Sequence, residues 1–176
     1  NVNHRKNGIP DYQFKVIFEG EENRPAWVKA NDLSHDWILQ YFKDNPSHKI
    51  TDPHFNEKKN KKVCAKQYCN EWLVNAVAET IPDPSKHLRM LLLDAKNMNT
   101  SNRFLEKFGP RVARIDIPNP FISLPVIAEI AQDPKKMEVI ALFNYKIQGL
   151  IRDKPERVNI DADYHVAWFD YTGTLE

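Results

Sequence analysis

Three carboxylates stand where the sequence could use them for chemistry. "HVAWFD" runs apolar residues into Asp170, which Tyr171 and the small-residue turn Thr172-Gly173-Thr174 follow. "LLLDAKNMNTS" ends a run of leucines at Asp94, with Asn97 just beyond. "ARIDIPNP" places Asp116 and Asn119 after the next apolar stretch. An apolar run that stops at an acid reads as a buried strand delivering a carboxylate to a loop, and in open parallel sheets ligands collect at those loops. Such acids can bind the hydroxyls of a ribose, position a proton or share a divalent metal through oxygen. The helix start at Thr100-Ser101 would add free amides for a charged ligand group.

Other chemistries lack their residues. There is no G-x-S-x-G element, no H-x₃-H pairing among the six histidines, and both cysteines, Cys64 and Cys69, fall within one helical pattern. No structural metal and no disulfide are expected, and a reducing intracellular compartment is the default. The 25 Lys and Arg nearly balance the 24 Asp and Glu, so no global field drives the chain onto nucleic acid or a membrane. Nor does any apolar run approach the ~20 residues of a membrane span. A local basic run does exist: Lys58, Lys59, Lys61 and Lys62 offer contacts to nucleic-acid phosphate. The first residue is Asn1 rather than Met, so the sequence reads as a cut or processed chain.

The positioning elements follow from periodicity. "DYQFKVIFEG" alternates and turns at Gly20, and "RPAWVKANDL" is a second extended piece. "SHDWILQYFKDN" predicts a helix capped by Ser34, with Asp36 in its first turn. Residues 46–62 are polar, basic and proline-containing, the best boundary candidate. "VCAKQYCNEWLVNAVAETI" predicts an amphipathic helix with Ala65, Cys69, Trp72, Leu73, Ala76 and Val77 on one face. Beyond residue 88 come continuous apolar strands ("LRMLLLD", "RVARIDI", "HVAWFD") alternating with helices ("TSNRFLEKFG", "ISLPVIAEIAQD"). "MEVIALFNYKIQGLIRD" fits a strand then a helix, or one long helix. The pattern predicts a parallel sheet covered on both faces.

Residues 10–45 resemble a chromodomain, through Tyr12, Phe14, Lys15, Trp27, Asn31, Leu33 and the helix from Asp36. The resemblance implies a small three-stranded sheet packed by one helix, in a nuclear, chromatin-associated protein that contacts a protein partner or histone tail. A methyl-lysine reader of this family needs an aromatic cage. Val16 stands where the family's cage tryptophan follows Lys15, which leaves Phe18 as the plausible cage wall. Such a degenerate module is expected to serve protein contact through Trp37, Tyr41 and Phe42, with Trp27 as core.

"LLLDAKNMNTS", "RIDIPNP" and "WFDYTGT" together resemble the core of Rossmann-like S-adenosylmethionine-dependent methyltransferases. The resemblance carries Asp94, Asn97, Asp116 and Asn119 to cofactor binding, and Asp170 with Tyr171 to the catalytic mouth. Its first loop departs from the family, because Ala95 to Asn99 contains no glycine. The chain also reaches only about the fourth strand of such a fold. Two alternatives stand beside methyl transfer. One is a non-catalytic chromatin scaffold. The other is a PIN/NYN-type nuclease with Asp94, Asn97, Asp116, Asp163 and Asp170 around Mg²⁺. D-Y-T-G-T also looks like the phosphorylated loop of P-type ATPases, but that family's nucleophile ends its first strand and Asp170 ends the last one here. The expected architecture is therefore α+β and α/β: a chromodomain-like module at 10–45, a basic linker at 46–62, and a Rossmann-like α/β domain at 63–176, read as incomplete.

Overall fold

A computed structural model describes residues 2–6, 9–20, 24–48, 50, 64–94, 98–144, 146–147 and 164–169. Asn97, Asp163, Asp170, Tyr171 and the lysines at 58, 59, 61 and 62 lie outside the described residues. Strands β1 (Val2–Lys6), β2 (Ile9–Val16) and β3 (Ala26–Lys29) form an antiparallel sheet in the order β1-β2-β3. Gly20, after β2, has φ 82°, a left-handed turn position that glycine occupies without steric cost. Helix α1 (His35–Asp44) starts where the Ser34 hydroxyl accepts the Trp37 amide at 3.4 Å. The first strand precedes the region that the sequence pattern marked as extended.

The second layer is mixed helix and parallel strand, as the apolar runs predict. Helix α2 (Cys64–Thr80) precedes β4 (Leu88–Leu93), then α3 (Asn99–Phe108), β5 (Val112–Pro118), α4 (Leu124–Gln132), a short α5 (Pro134–Val139), β6 (Ile140–Phe143) and β7 (Val166–Phe169). The four strands run β6-β5-β4-β7, all neighbouring pairs parallel. Strand order thus reverses between β4 and β7, which makes their carboxyl ends a topological switch point. The "MEVIALFNYKI" stretch contains the expected strand, Ile140–Phe143, with Ile147 helical beyond it, but its first residues, Met137 to Val139, are helical. A helical turn from Pro134 is capped by Asp133, whose side chain accepts the amides of Lys135 and Lys136, and the β-branched and aromatic residues after it go into the sheet.

Alternation decides which residues meet. Leu88, Met90 and Leu92 of β4 share one buried cluster with Ile115 and Ile117 of β5, Ile140 and Leu142 of β6, and Val166 of β7. Phe104 and Phe108 of α3 stack on each other at 5.8 Å within that cluster, and α4 adds Val126, Ile127 and Ile130. Helix α1 packs along α4 and contributes Ile38, Leu39 and Phe42 to the same core. Two placements differ from expectation. Trp27 is half exposed, standing opposite Lys15 on the neighbouring strand rather than in the core. Helix α2 buries Asn70, Leu73, Val74 and Val77, a face turned away from the exposed Cys69 and Trp72. Asn70 turns inward because its Oδ1 accepts the buried Thr100 hydroxyl at 3.2 Å. Burial on this scale sets a contrast: Phe104→Ala should lower the unfolding free energy by about 3–5 kcal/mol. Phe121→Ala, at a residue 68% exposed, should stay within about 0.5 kcal/mol; urea unfolding of the two variants measures both.

Candidate functional site

Asp94 leaves the end of β4 and is 3% exposed. Its carboxylate accepts the Ser101 amide at 2.7 Å and the Thr100 amide at 3.3 Å. These are orphan donors at the start of α3, where Met98, at φ 52°, supplies no side-chain cap. The amides that the sequence offered to a ligand therefore hold Asp94. Its backbone carbonyl is held as well, accepting from Asn119 Nδ2 at 2.7 Å. Asn119 Oδ1 then accepts the Phe121 amide at 2.8 Å. Asp94 and Asn119 are thus brought together, and together they fix two loops.

Asp116 sits within β5 and is completely buried. One carboxylate oxygen accepts Arg114 Nε at 2.7 Å, and the other accepts the Tyr164 hydroxyl at 2.6 Å. Its i−2 spacing from Arg114 places both on one face of the strand, the face away from the helical core. Burial, and then the proton given to Asp116, push the Tyr164 phenol above its ordinary range. The register Leu93↔Phe169 brings β7 alongside β4 up to the last described residue before Asp170. Among the described residues, no three His, Cys, Asp or Glu side chains gather closely enough to hold a metal ion. No helix of the described residues is long and apolar enough to cross a membrane.

An opening lies between the first sheet and α1. It is a groove of about 600 Å³ whose walls include Tyr12, Phe14, Trp27, Trp37, Tyr41 and His48. Phe14 meets the Tyr41 ring edge-on at 5.0 Å, and Tyr41 meets Phe42 at 5.3 Å. The Tyr41 hydroxyl lies 2.6 Å from His48 Nδ1. Trp37 is 63% exposed at the rim, whereas Phe42 is buried in the core. Phe18, half exposed beyond the end of β2, does not line the groove. Sequence reasoning named Trp37 and Tyr41 but missed Tyr12, Phe14 and His48 as their neighbours. The signal was the alternation of Tyr12 and Phe14 along β2, which put them on the face that α1 covers.

Compared with models of protein families, with curated proteins and with solved structures, the chain matches none.

Two measurements follow from this geometry. Asp94→Ala strands buried amides and should destabilise the fold by about 1–3 kcal/mol. Asp94→Asn, which keeps one acceptor, should cost less, and a stability gain in either variant would contradict the capping role. An unfolded tyrosine loses its proton near pH ~10, while folded Tyr164 keeps its own to higher pH. The stability this phenol contributes is therefore complete below about pH 10 and is lost as pH rises through the folded value. Denaturant midpoints between pH 8 and about 11.5 should fall less steeply in Tyr164→Phe than in the native chain.

Proposed function

We propose that the chain is a non-catalytic, chromatin-associated interaction protein whose binding element is the aromatic groove between β2, β3 and α1. The observation that carries this reading is the makeup of the groove: mostly apolar and aromatic walls, a half-exposed Trp27 and a well-exposed Trp37 at the opening. Exposed tryptophans beside an apolar cleft are the usual anchors of protein interfaces. Among the described residues no carboxylate lines the groove, and the one lysine or arginine there is Lys15. That charge disfavours an ammonium guest and favours an extended peptide with an apolar anchor and an acidic flank. The three-stranded sheet followed by a helix suits the chromodomain resemblance, from which the chromatin and nuclear setting follows.

A second reading, an S-adenosylmethionine site at the switch point, is favoured by the strand order alone. Taken by themselves, the described residues do not fit that cofactor. Asp94 and Asp116 are sealed and already bonded, so a ribose hydroxyl reaches neither without displacing Ser101, Arg114 or Tyr164. No catalytic step is derived through it.

Tryptophan fluorescence separates these readings. An acidic peptide with a leucine or aromatic anchor should quench the groove saturably, and Trp37→Ala should weaken it at least about tenfold, the loss expected at an interface anchor. Trimethylated and unmodified histone-tail peptides should bind alike. A tenfold preference for the trimethylated peptide, abolished in Trp27→Ala, would replace this proposal with a methyl-lysine reader. Calorimetric binding of S-adenosylmethionine, lost in Asp116→Ala, would move the function to the strand ends.

A further inference from the structure

The face of the parallel sheet away from the helical core carries an unbalanced pair of arginines. The register Arg89↔Arg114 sets them side by side on adjacent strands β4 and β5, on the same face. Two like charges at neighbouring positions repel, so each calls for a counter-charge. Arg114 has one: its Nε donates to Asp116. Among the described residues its terminal nitrogens have no other partner, and its side chain is 44% exposed. Arg89 has no counter-charge among the described residues, and its buried Nε finds no acceptor there. A guanidinium donor shut away from water without an acceptor is costly, and a native fold tolerates one where something else supplies the acceptor.

The surroundings make this an organised cluster rather than two solvated side chains. Asp116 is fixed by Tyr164 and in turn fixes the plane of Arg114. Tyr164 feels the positive charge of both arginines, so all four groups share one neighbourhood. His165 sits against the same strand: its amide donates to the Arg89 carbonyl at 2.9 Å, and its Nδ1 accepts the Arg89 amide at 3.2 Å. With Nδ1 an acceptor, the imidazole proton lies on Nε2, which adds a donor beside Arg89. Two arginines against one aspartate leave a formal charge of +1 in the cluster, by subtraction of one carboxylate from two guanidiniums.

We infer that Arg89 and Arg114 form an oxyanion-binding site for a singly charged carboxylate or phosphate group, with Asp116 and Tyr164 as positioning residues. Guanidinium forks match the oxygen spacing of both groups, and one such anion brings the cluster to neutrality. Arg114 alternates with the core residues Ile115 and Ile117, and it shares a cavity with Asp32 and Asp36 at the start of α1, whereas neither arginine lines the aromatic groove.

The full chain, in phosphate-free buffer, is titrated with inorganic phosphate and separately with acetate, and the arginine Nε–H resonances are followed by NMR. Saturable shifts confined to Arg89 and Arg114 are expected for at least one of the two anions, and the tighter of them names the source. Arg89→Gln and Arg114→Gln should each weaken binding at least tenfold. Tyr164→Phe, which leaves both arginines in place, should weaken it several-fold. Shifts that rise linearly without saturation, or that sodium chloride reproduces at equal ionic strength, would overturn the inference. The titration of the native chain needs no substitution, so it decides the matter even where an arginine variant fails to fold.

Discussion

A single buried charge, the Asp94 carboxylate, holds the centre of the sheet together. A carboxylate removed from water requires donors around it, and the first turn of a helix has donors that require an acceptor. Placing one against the other satisfies both at once. The Asp94 carbonyl then holds Asn119, and Asn119 holds the Phe121 amide, so β4 to α3 and β5 to α4 are locked by one chain of bonds. The left-handed Met98 directly precedes the helix whose first amides reach the acid.

This constraint redistributes what the molecule can do. With the β4 and β5 ends occupied by their own loops, the strand-end acids among the described residues serve the fold. Groups that packing leaves exposed or unsatisfied lie away from these strand ends. On one side, α1 covers the sheet β1-β2-β3 incompletely and leaves an aromatic groove. On the other, the buried Arg89 Nε of the parallel sheet lacks an acceptor among the described residues. Departures from full satisfaction, which His35 Nδ1 and Ser101 Oγ also show, are where function is expected to reside.

The parallel strands were legible because β4 from Met90 onward and β7 are continuous apolar runs, although Ala167 and Phe169 of β7 are exposed and β5 interrupts its run with Arg114 and Asp116. Helix α1 was legible through Ser34, and α4 through Pro125 in its first turn. What stayed hidden depended on contacts distant in sequence. Val2–Lys6 is too polar to read as a strand without β2 beside it. The buried face of α2 turns on Asn70 meeting Thr100, thirty residues away. Trp27 stands beside Lys15 rather than in the core, a placement that depends on the register across a hairpin. Arg89 and Arg114 become neighbours only once β4 and β5 are aligned.

Asp94 and Asp116 show how one sequence signal conceals two different outcomes. Each follows a run of buried residues and reads as an acid at a strand end. Asp94 lies one residue past β4, where the chain has left the sheet and a helix start is within reach. Asp116 lies two residues short of the end of β5 at Pro118, so it still obeys the alternation of the strand. Its partners are accordingly set by face: Arg114 at i−2 on its own strand, and Tyr164 ahead of β7 across the sheet. Had β5 ended two residues earlier, Asp116 would have entered a loop and been free to meet a ligand. The role of these two carboxylates follows from where the sheet hydrogen bonds stop: past the strand end Asp94 caps helix amides, and within the strand Asp116 is an internal counter-ion.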